Sequence, residues 1–147
     1  MFKRIVVGTD GSDTAAGAVR QAIELARLSK AQLSIVSAYE PISGRRVQGE
    51  QVDAPADVQY EIGPREDVNL VLDAAAAEAR KEGIEVQTHP IEADPADAIL
   101  NVAEQTDADL IVVGNKGMTG ARRYLLGSVP NNISHHAPAS VLIVQTT

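Results

Sequence analysis

The sequence predicts an α/β fold, with an open sheet of five parallel strands and helices on both faces. Short apolar runs rich in Val and Ile alternate along the chain with longer stretches whose apolar residues recur at helical spacing. Such alternation is typical of parallel sheets with right-handed crossovers. Of the 147 residues, 44% are hydrophobic but only 3% are aromatic. The core must therefore be aliphatic, as in a sheet of β-branched strands covered by Ala-rich helices.

The first part of the chain predicts two strands joined by a helix. Arg4–Gly8 is apolar enough for a short buried strand, and Ser12 or Asp13 suits the cap of the helix that follows. Leu33–Tyr39 predicts the second strand. The helix ends near residue 29, and its buried face comprises Ala15, Val19, Ala22, Ile23 and Ala26.

Residues 40–63 show no regular period. They carry several Pro and Gly residues and charges of both signs, which predicts a long loop within one domain. Loops of this length in a compact domain are usually functional or mobile. Residues 1–147 are expected to form a single domain, because the length falls in the usual range of roughly 100–200 residues.

The remainder of the chain continues the alternation. A second helix is stopped by Gly83, and residues 84–91 predict a third strand. Asp94 and Pro95 suit the cap and the first turn of a third helix. Three more elements follow: a strand over 109–114, a short helix over 128–136 and a last strand over 141–144.

Composition excludes several classes of function. The net charge of −7 disfavours non-specific binding to nucleic acid, which is a polyanion. Without cysteine there is no disulfide, no thiolate nucleophile and no Cys-based zinc site. No apolar run approaches the roughly 20 residues of a membrane helix, and the N-terminal apolar run is too short for a signal peptide. These features predict a cytoplasmic protein without membrane association.

Two polar turns that contain glycine follow the first and fourth strands. In an open α/β sheet, ligands bind beyond the carboxyl ends of the strands, where strand order reverses. Gly114, Gly117 and Gly127 let the backbone turn and let a phosphate approach closely, and Ser128 begins a helix whose first amides are unpaired. Residues 114–128 are therefore expected to hold the phosphates of a nucleotide.

The spacing of these residues resembles a family motif. Gly114-x2-Gly117-x9-Gly127-Ser128 is similar to the nucleotide-binding motif of the universal stress protein family, in its ATP-binding branch. The opening segment 5–12 and the closing segment 139–144 also resemble the family, and the likeness covers essentially the whole chain. It implies a Rossmann-like sheet in the order 3-2-1-4-5, of the kind found in adenine nucleotide alpha hydrolases.

The resemblance also implies roles for individual residues. Main-chain groups near Ala38 would recognise adenine, and Gly8 and Thr9 would flank the base. Asp10 would face ribose or a Mg²⁺ bound to phosphate. Residue 8 is Gly where many members have Pro, which leaves the base contact there open. The remaining contacts to ribose and phosphate would come from Val113, Gly114, Lys116, Gly117, Met118, Gly127, Ser128, Val129 and Pro130.

Plainer roles compete with some of these. Asp10 also suits a turn or a helix cap. Arg122 and Arg123 suit solvated surface positions, whereas Lys116, between two glycines, is the expected phosphate contact. His135 and His136 point in different directions on a helix, so they suit its carboxyl end better than a shared metal site.

The last strand, Val141–Val144, predicts an apolar sheet edge. Antiparallel pairing with a second copy would cover it and give a two-fold homodimer, as the resemblance also implies, although the tail after residue 144 could mask the edge instead.

The function expected from these features is ATP binding by a stress-sensing or signalling protein. Cyclic AMP or AMP is the alternative ligand within the family. Two further alternatives are an enzyme acting on a nucleotide, with hydrolysis at most slow because no catalytic base is evident, and an interaction protein with an unused cleft.

Overall fold

The computed structural model describes residues 1–39, 64–115 and 128–145. The predicted long loop over 40–63 and most of the glycine-containing stretch, 116–127, lie outside the described residues. The elements are β1 (Arg4–Gly8), α1 (Asp13–Ser29), β2 (Gln32–Tyr39), α2 (Pro64–Lys81), β3 (Val86–Glu92), α3 (Pro95–Thr106), β4 (Leu110–Gly114), α4 (Ser128–His136) and β5 (Ser140–Val144).

The five strands form one parallel sheet in the order β3-β2-β1-β4-β5. This confirms the predicted architecture and strand order. β1 lies at the centre, where Val7 is in register with Ile35 of β2 on one side and Val112 of β4 on the other. The chain thus leaves β1 toward β2 and β3, then crosses back to β4, so strand order reverses between β1 and β4.

Alternate side chains of the sheet enter two separate cores. Ile5, Val7 and Leu33 pack against α1 and α2, whereas Val6 and Ile111 pack against α3 and α4. The central strands are buried on both faces, which explains why they are continuous apolar runs rather than alternating ones. Among the described residues, every helix is too short or too polar to cross a membrane.

Caps define the helix ends much as predicted. Ser12 Oγ accepts a hydrogen bond from the Ala15 N–H at 3.2 Å, and Asp94 Oδ2 accepts one from the Ala96 N–H at 3.1 Å. Gly83 has φ +77° just after α2. The predicted start of the third strand at residue 84 is wrong, because the buried Ile84 donates its N–H to the Ala79 carbonyl at 3.3 Å and so completes the end of α2.

Asp109, just before β4, is hydrogen-bonded to the beginning of the chain. Its carboxylate accepts hydrogen bonds from the backbone N–H groups of Lys3, at 2.9 Å to Oδ2, and Arg4, at 3.0 Å to Oδ1. Burial raises the pKa of Asp109, but these donors, from Lys3 first and then Arg4, outweigh it and hold the pKa below its ordinary value.

Replacing Asp109 by Ala is expected to lower the free energy of unfolding by about 1 kcal/mol at pH 7, since a hydrogen-bonded charge at a partly exposed site is lost. A depressed pKa stabilises the fold above the unfolded-state pKa, so this difference should shrink as the pH falls below 4. Urea unfolding at pH 7 and pH 3.5 measures it. Asp73→Ala, at an exposed position of α2, is the control. An equal loss of unfolding free energy in both variants would contradict the prediction.

Candidate functional site

The candidate site is a crevice between the carboxyl ends of β1 and β4. Pairing of the two strands ends at Val7 and Val112. Beyond that point β1 stays with β2, since the Thr9 N–H donates to the Val36 carbonyl at 2.9 Å. β4 stays with β5, since the Asn115 N–H donates to the Val144 carbonyl at 2.9 Å. The strands therefore part where strand order reverses, which is where open α/β sheets bind ligands.

The turn after β1 is held by its own side chains. The hydroxyl of the buried Thr9 accepts a hydrogen bond from the Gly11 N–H at 3.1 Å, and Asp10 Oδ1 accepts one from the Ser12 N–H at 2.9 Å. The predicted turn role of Asp10 is thereby confirmed. A carboxylate has further acceptor positions, so this bond leaves Asp10 able to contact a ligand as well.

Gly8, at the end of β1, and Gly11, in the turn, both lie close to helices. A Cβ at Gly8 would lie 2.5 Å from Ile99 Cδ1 of α3, and one at Gly11 would lie 2.7 Å from Val71 Cγ2 of α2. Gly11 also has φ +84°, where a side chain is strained. Sequence reasoning missed Val71 and Ile99 as neighbours of the site, because both read as ordinary apolar positions of amphipathic helices.

The main chain of Ala38 faces the crevice side of β2. The Val36 carbonyl points toward β1 and the Tyr39 carbonyl points toward β3, where it accepts from the Ala93 N–H at 3.1 Å. The backbone groups of successive strand residues point to opposite edges of the strand. The N–H and C=O of Ala38 therefore point to the same edge as the Val36 carbonyl, toward β1. They are directed past Thr9, beyond the last pair between β1 and β2.

The described site residues lie at the carboxyl ends of three neighbouring strands: Gly8, Thr9 and Asp10 at the end of β1, Ala38 near the end of β2, and Val113 and Gly114 at the end of β4. Lys116, Gly117, Met118 and Gly127 lie outside the described residues. Ser128, Val129 and Pro130 form the first turn of α4, as predicted.

Two other features lie away from this crevice. A cavity of about 220 Å³ opens at the amino-terminal ends of the strands, with Arg4, Gln32 and Ser34 among its lining residues, and none of the predicted site residues lines it. His135 and His136 are exposed in the last turn of α4, the helix-end position predicted for them. The described residues contain no group of three His, Cys, Asp or Glu side chains placed to hold a metal.

His89 on β3 is half-buried, and its Nε2 has no hydrogen-bond partner among the described residues. Burial lowers its pKa below the ordinary value of 6.5. The unfolded chain therefore takes up a proton at a higher pH than the folded one, and stability should fall as the pH drops below about 6.5.

We expect the free energy of unfolding to fall less between pH 7 and pH 5.5 in His89→Gln than in the unchanged protein. Urea unfolding at both pH values measures it. Gln87→Ala, which changes an exposed side chain on the same strand that does not titrate, should behave like the unchanged protein. Identical pH dependence in all three proteins would refute the role of His89.

Comparison with known proteins agrees with this geometry. The family model described as "Universal stress protein family" matches residues 1–145. Universal stress protein Rv1636 of Mycobacterium tuberculosis is 40% identical, over 99% of this chain and 98% of the relative.

Two solved structures carry bound nucleotides. A universal stress protein in complex with cAMP is 35% identical with a TM-score of 0.74, and the match covers 99% of each chain. The universal stress protein of Archaeoglobus fulgidus in complex with dAMP is 25% identical with a TM-score of 0.68, over 97% of this chain and 98% of that one.

Proposed function

Since the chain belongs to the universal stress protein family, we propose that it binds an adenine nucleotide, with ATP as the ligand, in the crevice between β1 and β4. The main support is the parting of these strands beside a glycine-containing connection that ends in a helix. The relatives that hold cAMP and dAMP support the same class of ligand. A role in sensing or signalling stress belongs to this proposal.

The proposed contacts divide by ligand part. The base would bind the N–H and C=O of Ala38, with Gly8 and Thr9 beside it. Amides at the start of α4 suit phosphate, because a helix amino terminus carries partial positive charge and unpaired donors. The other proposed contacts to ribose and phosphate are those of Val113, Gly114, Lys116, Gly117, Met118 and Gly127.

Magnesium would reach the site with the phosphates. Mg²⁺ prefers oxygen ligands and keeps several waters, so phosphate oxygens and one carboxylate suffice. Asp10 fits this role, because it is a half-buried carboxylate at the end of β1. The net charge of −7 makes a metal-neutralised nucleotide a better ligand than the free anion.

Cyclic AMP or AMP is the second candidate ligand, which the relative in complex with cAMP favours. A single phosphate would leave amides of the 114–128 connection unused, which is the reason to rank ATP first. Any hydrolysis should be slower than about 1 s⁻¹, the low end of typical enzymes. The described site offers no catalytic base beyond Asp10, whose carboxylate already accepts a hydrogen bond from the Ser12 N–H within the turn.

Isothermal titration of the purified protein with Mg-ATP tests the proposal, and competition with cyclic AMP ranks the two ligands. We expect ATP to bind and cyclic AMP to compete less well. Absence of heat at tens of micromolar protein, together with no adenine nucleotide released on heat denaturation, would refute nucleotide binding. Tighter binding of cyclic AMP would reverse the ranking.

We also propose a homodimer formed by antiparallel pairing of β5, Val141–Val144. Leu142 and Ile143 are 37% and 46% exposed on this edge strand, which in the described chain pairs with β4 alone. Ile143→Lys should shift the mass measured by light scattering toward the monomer. Arg80→Met, at an exposed position of α2, is the control. An unchanged mass for Ile143→Lys would contradict the proposed interface.

A further inference from the structure

Helix α2 touches the end of the strand that carries Ala38. Arg65, in the first turn of α2, donates a hydrogen bond from Nη1 to the Tyr39 hydroxyl at 3.0 Å. Tyr39 directly follows Ala38 and packs against the core on the α1 and α2 face, and its carbonyl accepts a hydrogen bond from the N–H of Ala93, just after β3. The phenol thus connects α2 to the part of β2 that faces the crevice.

The same helix also touches the turn after β1. Val71 lies so close to Gly11 that a Cβ there would be 2.7 Å from Val71 Cγ2. Gly11 in turn donates its N–H to the Thr9 hydroxyl, so a movement of Gly11 is passed to Thr9. One helix therefore contacts both chain segments between which the adenine base would lie.

We propose that α2 sets the width of the base end of the pocket, with Arg65 and Val71 as positioning residues. This inference rests on the proposed nucleotide binding and adds to it residues that need not contact the ligand. A pocket has to hold its groups within about 0.5 Å of the productive geometry, so loss of either contact weakens binding through Ala38 or Thr9. Loss of the Arg65 contact should therefore weaken binding of the base and leave the phosphate contacts unchanged.

The test compares ATP with adenosine, which lacks phosphate, by NMR titration of the whole protein. Arg65→Met and Tyr39→Phe should each raise the Kd of both ligands by the same factor, about two- to fivefold, because the lost hydrogen bond is exposed to solvent. The double variant should be no weaker than either single one, because both remove the same bond. Arg65→Lys, which keeps a donor, should retain most of the affinity.

Arg80→Met is the matched control, since it removes an exposed arginine from the other end of α2 and should leave both Kd values unchanged. Equal melting temperatures in all variants would exclude unfolding as the cause. If Arg65→Met weakened ATP but not adenosine, or if neither Arg65→Met nor Tyr39→Phe had any effect, the positioning role would be refuted while nucleotide binding stood. If the unchanged protein bound neither ligand, the proposed function would fail first.

Discussion

Replacing Ala38 by Pro is expected to remove most of the affinity for adenine nucleotides while the protein stays folded. The N–H of Ala38 points past the last β1 pair and not into the β2–β3 ladder, so its loss breaks no hydrogen bond of the sheet as far as the structure describes it. The proline ring would also occupy the space in front of the missing N–H. Leaving a buried acceptor of the base without its donor costs about 2 kcal/mol, or about thirtyfold in Kd.

Ser37→Pro is the matched control. The N–H of the buried Ser37 points to the other side of β2, toward β3, so proline there should break the ladder and lower the melting temperature sharply. Titration with Mg-ATP and thermal unfolding separate the two effects. Affinity of Ala38→Pro equal to that of the unchanged protein would show that the base is recognised elsewhere.

Gly11→Ala should be the most damaging of the small substitutions in the turn after β1. A side chain at φ +84° is strained by about 1–2 kcal/mol. The new Cβ would also lie 2.7 Å from Val71, and such overpacking typically costs about 1–3 kcal/mol. The free energy of unfolding is therefore expected to fall by about 2–5 kcal/mol, with weaker nucleotide binding because Thr9 is displaced.

Gly83→Ala isolates the backbone strain, because Gly83 has φ +77° but no atom of the described residues lies within 4 Å of where its Cβ would be. It should cost about 1–2 kcal/mol and leave nucleotide binding unchanged. Adding Val71→Ala to Gly11→Ala should restore part of the affinity by removing the clash. Equal losses of stability for Gly11→Ala and Gly83→Ala would mean that the close approach of the new Cβ to Val71 does not destabilise the protein.

Much of the architecture could be predicted from local patterns. The apolar runs placed all five strands to within about two residues, a typical error for strand ends, and Ser12, Asp94 and Gly83 marked helix ends because capping depends on nearby atoms. The largest boundary error is at Ile84, which has a local pattern that suits a strand, but its N–H and buried side chain complete α2. Strand order came from the family motif, since short-range periodicity contains no information on which strands are neighbours.

By itself, the sequence determined which segments become strands and helices, where the turns fall, and which glycines and polar residues follow β1 and β4. Only the tertiary structure decided that β1 and β4 part after Val7 and that α2 lies against Gly11 and Tyr39. The physical reason is distance along the chain: contacts between residues 11 and 71, or 39 and 65, form only when packing of the whole sheet brings them together. No local preference of either segment encodes such a contact.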